Sequence, residues 1–309
     1  MPASPLIRLG TRQSPLAMAQ AHETRARLCA AHGWDEAAVE LVPVVASGDK
    51  IQDRPLAEIG GKALWTRELD FWLVEGRIDA AVHSMKDVET LRPQAIAIAA
   101  ILPRADKADR LLGAASIAEI PHGARVGTSA PRRAAQLLHL RPDLAVVGIR
   151  GNVATRMAKL AAGEADATFL AAAGLDRLGE DAVGVRLAPE DWLPAPAQAA
   201  IGIECRTGDD RTRDYLSAIN HPPSHAEVMA ERRLLEGLGG GCSSPIAALS
   251  DTAGGSIHLR AAIFSPDGKV RIGDEARFEA GDTQAPLDLA RALLNESPPE
   301  ITAHFGSVP

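Results

Sequence analysis

Aromatic residues, cysteines and long apolar runs are scarce in this chain of 309 residues. Phe, Trp and Tyr together make up only 3% of it, which argues against binding of single-stranded nucleic acid by base stacking. The net charge of -7 offers no overall attraction for a polyanion. We therefore expect no nucleic-acid partner, and any anion site must be a local concentration of arginine and lysine.

The three cysteines, Cys29, Cys205 and Cys242, are too few for a disulfide framework, and no Cys-x-x-Cys pair indicates zinc. The N-terminal residues lack a basic segment followed by an apolar run, and no apolar stretch is long enough to span a bilayer. From these absences we expect a cytoplasmic protein with no membrane contact and no bound metal.

What is present is typical of a globular α/β protein. The composition is 46% hydrophobic and 24% charged, and the length suits two or three domains. Strand-like and helix-like segments alternate as far as the proline-rich stretch 189–196. A second boundary follows at 221–223, and the remainder has the pattern of a small α+β unit.

The first candidate binding residue is Arg12, which ends an alternating strand pattern. Ser14 followed by Pro15 predicts the N-cap and first turn of a helix. Arg12 therefore lies in a strand-to-helix turn, where open α/β folds bind ligands. The alternative, at about even odds before context, is a solvated surface arginine.

A second candidate site follows the short apolar strand 78–82, which leads directly into His83-Ser84-Met85-Lys86-Asp87. Lys86 and Asp87 at the C-terminal end of a strand indicate a binding crevice. On its own a Lys-Asp dipeptide is more often a solvated charge pair. His83 is expected to be a packed or surface histidine, because no cluster of metal ligands surrounds it.

Two further strand-to-helix junctions present arginines. Thr128 or Ser129 is predicted to cap a helix whose first turn carries Arg132 and Arg133. The helix dipole does not favour cations there, so their placement indicates an external anion. The next junction carries Arg150, Gly151 and Asn152, with Arg156 one helical turn further on.

Cys242 follows three glycines, Gly239 to Gly241, just past a predicted helix. Glycines let the backbone turn sharply, and a thiol on such a loop is accessible as a nucleophile. From this stretch alone a buried small residue in a turn is the commoner case. The glycines follow a helix and do not join a strand to a helix, which argues against a dinucleotide loop.

Taken together, these motifs resemble the porphobilinogen deaminase (hydroxymethylbilane synthase) family. Seven segments occur in the family's order, over nearly the whole chain: Arg12–Ala17, Gly60–Lys62, His83–Asp87, Gly127–Ser129 with Arg132 and Arg133, Arg150–Asn152 with Arg156, Gly202–Arg206, and Gly240–Cys242. The His-Ser-Met-Lys-Asp and Gly-Gly-Cys segments are the most specific of the seven.

The resemblance implies an α/β protein with two periplasmic-binding-protein-like lobes that enclose a cleft, plus a small C-terminal α+β domain. Domain 1 is expected at 1–102 plus 198–220, domain 2 at 103–197 and domain 3 at 221–309. A monomer is implied. The implied activity is that of a transferase of porphyrin and haem biosynthesis, which condenses four porphobilinogen molecules into hydroxymethylbilane with release of ammonia.

The resemblance also assigns roles to residues. Cys242 is expected to hold a dipyrromethane cofactor through a thioether, and Asp87 to be the catalytic carboxylate. The remaining expected site residues bind cofactor or substrate: Arg12, Ser14, Lys62, Ser84, Lys86, Thr128, Ser129, Arg132, Arg133, Arg150, Gly151, Asn152, Arg156 and Gln198. The arginines suit the acetate and propionate groups of porphobilinogen because a guanidinium bonds a carboxylate through two hydrogen bonds.

The chain departs from the family's pattern at four positions. Ala130 stands where a second serine is common, Ala197 and Ala199 replace two glycines that flank Gln198, and Trp65 replaces a phenylalanine. We expect activity to be retained. The competing hypothesis is an anion-binding module without catalysis, which explains the arginines but neither Cys242 on its glycine loop nor Asp87 beside Lys86.

Overall fold

The computed structural model describes residues 4–45, 66–241 and 243–305. Their contacts divide the chain into two compact units. The first unit contains the described residues 4–45, 66–105 and 200–225, and the second contains 106–199, 226–241 and 243–305. None of the helices in the described residues is long and apolar enough to cross a membrane.

Although four strands follow one another between residues 80 and 127, the regular elements alternate as strands and helices in parts of the chain up to residue 237. They are β1 (Ile7–Arg12), α1 (Pro15–His32), β2 (Val39–Val44), α2 (Arg67–Val74), β3 (Ala80–Ser84), β4 (Ile96–Ile101), β5 (Asp109–Leu112), β6 (Arg125–Gly127), α3 (Pro131–Leu140), β7 (Ala145–Val147), α4 (Val153–Ala161), β8 (Ala167–Ala171), α5 (Ala172–Asp176), β9 (Val185–Arg186), β10 (Ile201–Arg206), α6 (Asp210–Ser217), α7 (Pro222–Gly237), β11 (Ile246–Ala253), β12 (Ser256–Phe264), β13 (Arg271–Glu279), α8 (Ala285–Glu296) and α9 (Pro299–Thr302). Short 3₁₀ turns cover Glu36–Ala38 and Met85–Asp87.

The first unit is built on a mixed sheet whose described strands have the order β2-β1-β3-β10-β4. β1 pairs in parallel with β2 and β3, and β10 runs antiparallel to β3 and β4. Both faces are covered, which explains the apolar strand sequences. On one face Val82 packs in the same core cluster as Leu28 of α1 and Leu216 of α6. On the other, Ala81 packs with Leu69 and Leu73 of α2.

The second unit contains two sheets. The described strands of the larger one have the order β7-β6-β8-β5-β9, and the smaller is the antiparallel sheet β11-β12-β13. Helices α7 and α8 cover one face of the smaller sheet through apolar residues such as Leu234 and Leu293. Its other face packs against Ala135 of α3 and Leu193. The expectation of an α/β fold with a small C-terminal α+β sheet is confirmed.

The backbone at Ala197 and Ala199 is unusual. Their φ angles are 59° and 68°, in the left-handed region where a Cβ is disfavoured. Ala197 is held there because its N–H donates to Glu231 Oε2 at 2.5 Å, and the Ala199 carbonyl accepts from Arg177 at 3.1 Å. These are the two positions where the resembled family commonly has glycine, the residue that this conformation favours.

We predict that Ala197→Gly is nearly neutral for stability. Relief of the left-handed strain, about 1–2 kcal/mol, is offset by about 0.4–1 kcal/mol of unfolded-chain entropy and about 0.8 kcal/mol for the lost buried methyl group. The control is the neighbouring buried Ala200, which has no positive φ. Ala200→Gly lacks the relief and should lower the unfolding free energy by about 1–2 kcal/mol. Equal losses in urea unfolding of the two variants would contradict the strain argument.

Candidate functional site

Four of the expected site residues line one recess in the first unit. They are Arg12 at the end of β1, Ser14 before α1, Ser84 at the end of β3 and Asp87 in the turn that follows. β1 and β3 are parallel neighbours, so their C-terminal ends lie at the same edge of the sheet. A guanidinium, two hydroxyls and a carboxylate therefore share one space.

The start of α1 forms one wall of the recess. Ser14 is its N-cap, as expected, and its side chain accepts from the Ala17 N–H at 3.3 Å. Gln20, one turn further along, is buried and donates from Nε2 to Ser84 Oγ at 2.8 Å. The sequence interpretation missed Gln20. Its signal was a glutamine on the helix face that also carries Ala17, Thr24 and Leu28, all buried.

The turn that carries Asp87 is held by contacts with the start of β10. The Met85 N–H donates to the Ala200 carbonyl at 3.0 Å, and the Val88 N–H donates to the Met85 carbonyl at 3.2 Å. The Met85 side chain fills the space above Gly202 on β10, where a Cβ would collide with its sulfur. Gly202 is thus needed for close approach, and the turn leaves Asp87 half-buried at the recess, with Lys86 half-buried beside it in the chain.

His83 is buried on β3, and its Nε2 lies 3.2 Å from Glu204 Oε2 on β10. Asp70, His83 and Glu204 bring their ligand atoms within 4.8 Å of one another. However, Arg92 lies 2.5 Å from Asp70 Oδ1 and 2.8 Å from Glu204 Oε1, so oxygens of both carboxylates are already engaged. The packed histidine expected from the sequence is what this geometry favours over a metal ligand.

Arg132 and Arg133 lie in the first turn of α3 but are almost fully buried. Both bond Asp109 of β5: Arg132 Nη2 to Oδ2 at 2.9 Å, and Arg133 Nη2 to Oδ1 at 2.7 Å. Arg132 donates one further bond to the Leu193 carbonyl, and Arg133 donates one to the Phe169 carbonyl. The anion that these two arginines contact in the structure is therefore an internal carboxylate, which the sequence interpretation did not anticipate.

The charge state of Asp109 follows from these contacts. Burial alone raises the pKa of a carboxyl, but the adjacent Arg132 and Arg133 guanidiniums outweigh it and hold the pKa of Asp109 far below its usual range. Burial also lowers the pKa of Arg132. Trp192 Nε1 donates to Asp109 Oδ2 at 2.9 Å and adds to the stabilisation of the anion.

Gln198 belongs to the same buried cluster. Its side-chain amide donates to the carbonyl of Lys107 at 2.7 Å and to Asp109 Oδ1 at 3.0 Å. Its Oε1 lies 3.5 Å from Arg132 Nη2. The structure thus brings together Arg132, Arg133 and Gln198, three of the expected site residues, around one carboxylate.

The prediction that Thr128 or Ser129 caps α3 is wrong. The N-cap is Ala130, which has no side chain to accept a bond, and Pro131 occupies the first helical position. Thr128 Oγ1 instead accepts from the Ala130 N–H at 3.2 Å, and Ser129 Oγ donates to the Ile149 carbonyl at 3.0 Å. Ala130 is extended because a residue before proline avoids helical angles, so the helix starts only at Pro131. The two hydroxyls therefore belong to the turn before the helix.

Ser129 thereby connects to the second arginine-bearing junction. Asn152 is the N-cap of α4 and accepts from the Thr155 N–H at 2.9 Å. Gly151 has a φ of 119°, and a Cβ there would lie 2.5 Å from Thr155 Cγ2. Arg156 Nε donates to the Gly151 carbonyl at 2.9 Å, and Arg150 is half-buried beside it in the chain. Thr128, Ser129, Arg150 and Asn152 thus follow the ends of the neighbouring strands β6 and β7, and Arg156 lies on the helix that starts at Asn152.

Two expected residues, Cys242 and Lys62, lie outside the described residues, as does Trp65. On either side of Cys242, the Gly241 N–H donates to Ser244 Oγ at 3.2 Å and the Ser244 N–H donates to the Gly241 carbonyl at 3.0 Å. The roles of Cys242 and Lys62 stay predictions.

Comparison with known families gives two matches that together span most of the chain. The model described as "Porphobilinogen deaminase, dipyromethane cofactor binding domain" matches residues 7–214. The model described as "Porphobilinogen deaminase, C-terminal domain" matches residues 225–296. The first match contains β1, β3 and the Asp87 turn, and the second contains Cys242.

Curated relatives agree with the family models. The chain is 56% identical to a porphobilinogen deaminase of Sphingopyxis alaskensis over 313 residues, which covers 99% of this chain and 98% of the relative. It is 48% identical to one of Paracoccus denitrificans over 299 residues, with 96% of each chain covered. The chloroplastic enzyme of Oryza sativa is 50% identical over 270 residues, 85% of this chain and 75% of the relative.

Among solved structures, the chain is similar to the VFT2 domain of Bordetella pertussis BvgS, with 15% identity and a TM-score of 0.40 over 73% of this chain and 91% of that one. A ligand-binding component of an ABC-type import system from Staphylococcus aureus has 14% identity and a TM-score of 0.39, over 74% of this chain and 72% of that one. Scores this low carry no argument about function.

We predict that Asp109→Asn lowers the free energy of unfolding by about 3–5 kcal/mol at neutral pH, because two buried guanidiniums lose their counter-charge. The stabilisation from a depressed carboxyl pKa is present above the unfolded pKa of about 4 and is lost as the pH falls below it. The wild type should therefore lose stability in acid more steeply than the variant. Urea unfolding between neutral pH and pH ~3 measures both effects.

The control is Asp166→Asn, which removes an exposed pair with Arg125 in the same unit. It should leave the urea midpoint nearly unchanged. An Asp109→Asn variant as stable as this control would show that the buried carboxylate is dispensable.

Proposed function

Because the chain belongs to the porphobilinogen deaminase family, we propose that the recess lined by Arg12, Ser14, Ser84 and Asp87 is where its substrate reacts. The activity is hydroxymethylbilane synthesis, a transferase reaction of porphyrin and haem biosynthesis. Four porphobilinogen molecules are condensed stepwise, each with loss of ammonia. The observation that carries the proposal is that one recess presents a guanidinium and hydroxyls for carboxylates and a carboxylate for a pyrrole N–H.

The cofactor is dipyrromethane, and the chemistry of the described side chains fits it. The recess offers hydrogen-bond donors from Arg12, Ser14 and Gln20. When bound, the cofactor supplies the pyrrole carbon to which substrate units are joined. We propose Cys242 as its attachment point through a thioether, because a thiolate on a glycine loop is a capable nucleophile for an electrophilic pyrrole.

Asp87 is the proposed catalytic residue. When the aminomethyl C–N bond of porphobilinogen breaks, the electron pair leaves on ammonia and the pyrrole becomes an electron-poor azafulvene. A carboxylate fixed in a short turn, half-buried, stabilises the developing positive charge and accepts the pyrrole N–H. A second pyrrole then forms a C–C bond from its free ring carbon to the azafulvene methylene, and the Asp87 carboxylate can take the proton that this ring carbon loses when aromaticity is restored.

Cationic residues are proposed to bind the acetate and propionate groups, two carboxylates per substrate unit. Such a set is needed because the protein is acidic overall, with a net charge of -7. Arginine forms paired hydrogen bonds to a carboxylate, and hydroxyls and main-chain N–H groups at helix starts add neutral donors. The proposed ligands outside the buried Asp109 cluster are Arg12, Ser14, Lys62, Ser84, Lys86, Thr128, Ser129, Arg150, Gly151, Asn152 and Arg156.

For Arg132, Arg133 and Gln198 the contacts with Asp109 support a more limited share of cofactor binding. Most of their N–H donors bond acceptors within the protein. The exception is the buried Nε–H of Arg132, which has no hydrogen-bond acceptor among the described residues. A buried donor without an acceptor is costly, so a cofactor carboxylate oxygen at this nitrogen is favoured. Arg133 and Gln198 then act by holding Arg132 in place.

We also propose that the protein works as a monomer in the cytoplasm, without a nucleic-acid partner. The acidic net charge and the 3% of aromatic residues support the last point. The proposed domain boundaries are 1–102 plus 198–220, 103–197 and 221–309.

We predict that the intact mass of the denatured wild-type protein exceeds the sequence mass by two linked pyrrole units, and that Cys242→Ser has no excess. The matched control is Cys29→Ser, which removes a half-buried thiol whose pKa is raised by burial. It should retain the full excess. Unmodified masses for both wild type and Cys242→Ser after incubation with porphobilinogen would overturn the attachment, and equal excess in both would place it elsewhere.

A further inference from the structure

A network of buried and partly buried ionisable side chains lies next to the Asp87 turn, and the reaction proposed above makes no use of it. It consists of Arg92, Asp70, Glu89, Glu204 and His83, which we call the Arg92 network. Arg92 Nη2 lies 2.5 Å from Asp70 Oδ1, Nη1 lies 2.6 Å from Glu89 Oε2, and Nε lies 2.8 Å from Glu204 Oε1. The Arg92 side chain is only 8% exposed and that of Glu204 is fully buried.

The network includes residues on both sides of the Asp87 turn. On the N-terminal side, His83 Nε2 lies 3.2 Å from Glu204 Oε2, four residues before Asp87. On the C-terminal side, Glu89 and Arg92 follow Asp87 by two and five residues and bond each other. Both sides meet at the same guanidinium, because Glu204 also accepts from Arg92 Nη2 at 2.9 Å.

Further contacts make this arrangement rigid. Thr66 Oγ1 donates to the Glu89 carboxylate, with its two oxygens at 3.0 and 2.9 Å. Asp70 anchors the guanidinium to α2, and Glu204 anchors it to β10. Helix α2 and strand β10 therefore hold the loop that carries Glu89, and with it the residues directly after Asp87.

The network is ionic. Burial raises the pKa of the Glu204 carboxyl, but the adjacent His83, 3.2 Å away, and the charge of Arg92 outweigh it and lower that pKa to about 2. A planar guanidinium with donors on three nitrogens can serve three carboxylates at fixed angles. A lysine ammonium keeps the charge but lacks this fork, so it cannot reproduce the geometry.

We propose that Arg92 is a positioning residue for Asp87: by joining Glu204 to Glu89 it fixes the two ends of the turn and so holds the Asp87 carboxylate at the reacting pyrrole. This inference rests on the proposed role of Asp87. It predicts an effect on the chemical step and not on substrate affinity, because Arg92 bonds the protein's own carboxylates and the recess residues bind the substrate.

The test is the rate of ammonia release from porphobilinogen by Arg92→Lys, expressed per molecule of cofactor-bearing enzyme as counted by intact mass. We expect kcat to fall about 10- to 100-fold, since a misplacement of the order of 1 Å costs that much, while KM stays within about two-fold of the wild-type value. The matched control is Arg8→Lys. Arg8 forms a multidentate pair with Asp79 in the same unit, away from the Asp87 turn, and its variant should lower the melting temperature but keep kcat.

Three results would overturn the inference: a wild-type kcat in folded Arg92→Lys, an equal loss of kcat in Arg8→Lys, or a raised KM at unchanged kcat. If Arg92→Lys does not fold, Glu89→Gln decides, because it loosens only the C-terminal side of the turn. It should lower kcat at constant KM, and an unchanged kcat would refute the role. An inactive wild-type holoenzyme would count against the proposed function itself and is thereby distinguished from failure of the Arg92 role.

Discussion

In each unit a carboxylate with no solvent exposure, Glu204 in the first and Asp109 in the second, is kept ionised inside the fold by arginine. Such a group is stable only if its counter-charge and hydrogen bonds are complete, because an uncompensated buried ion costs several kcal/mol. The strands that carry these carboxylates, β10 and β5, are interior strands, each next to an edge strand of its sheet. The ionic contacts therefore fix the loops at the strand ends, which is where the candidate site residues lie.

This constraint relates directly to the chemistry. A reaction that joins four units with two carboxylates each needs many cations, yet the catalytic group proposed here is itself a carboxylate. A flexible Asp87 would be drawn into pairing with the nearest arginine or lysine, and its neighbour in the chain is Lys86. Holding the turn rigidly through Met85, Glu89 and Arg92 keeps the carboxylate aimed at the recess. The buried ions thus separate the arginines of the framework from those proposed to bind the substrate.

The sequence predicted what depends on local rules. Ser14 followed by Pro15 placed the start of α1, and Arg12 and Asp87 lie at strand ends as expected. The sequence did not predict that the two side chains line one recess. Contacts between distant segments could not be predicted. Asp109 precedes Arg132 by 23 residues and looked like any charged residue, so the two arginines of α3 appeared to await an external anion. Arg92 lies in a short polar loop, a pattern that usually means a solvated side chain.

Side-chain caps show the same limit. The hydroxyls at Thr128 and Ser129 predicted an N-cap, but the proline at 131 shifted the helix start to Ala130. At Ala197 and Ala199 the sequence showed only that alanine stands in place of glycine, whereas the structure has a backbone conformation that glycine would adopt without strain. Helix caps and strained backbone positions depend on burial and dihedral angles, and a single sequence does not reveal either.

The most direct test of the account is the rate of ammonia release by Asp87→Asn, measured in the cofactor-bearing fraction with saturating porphobilinogen. Asparagine keeps the size of the side chain and one acceptor oxygen but removes the negative charge and the base. The account predicts a fall in kcat of about 10²- to 10⁴-fold with the fold and the bound cofactor retained. A variant that bears cofactor and releases ammonia at the wild-type rate would contradict the central role of Asp87.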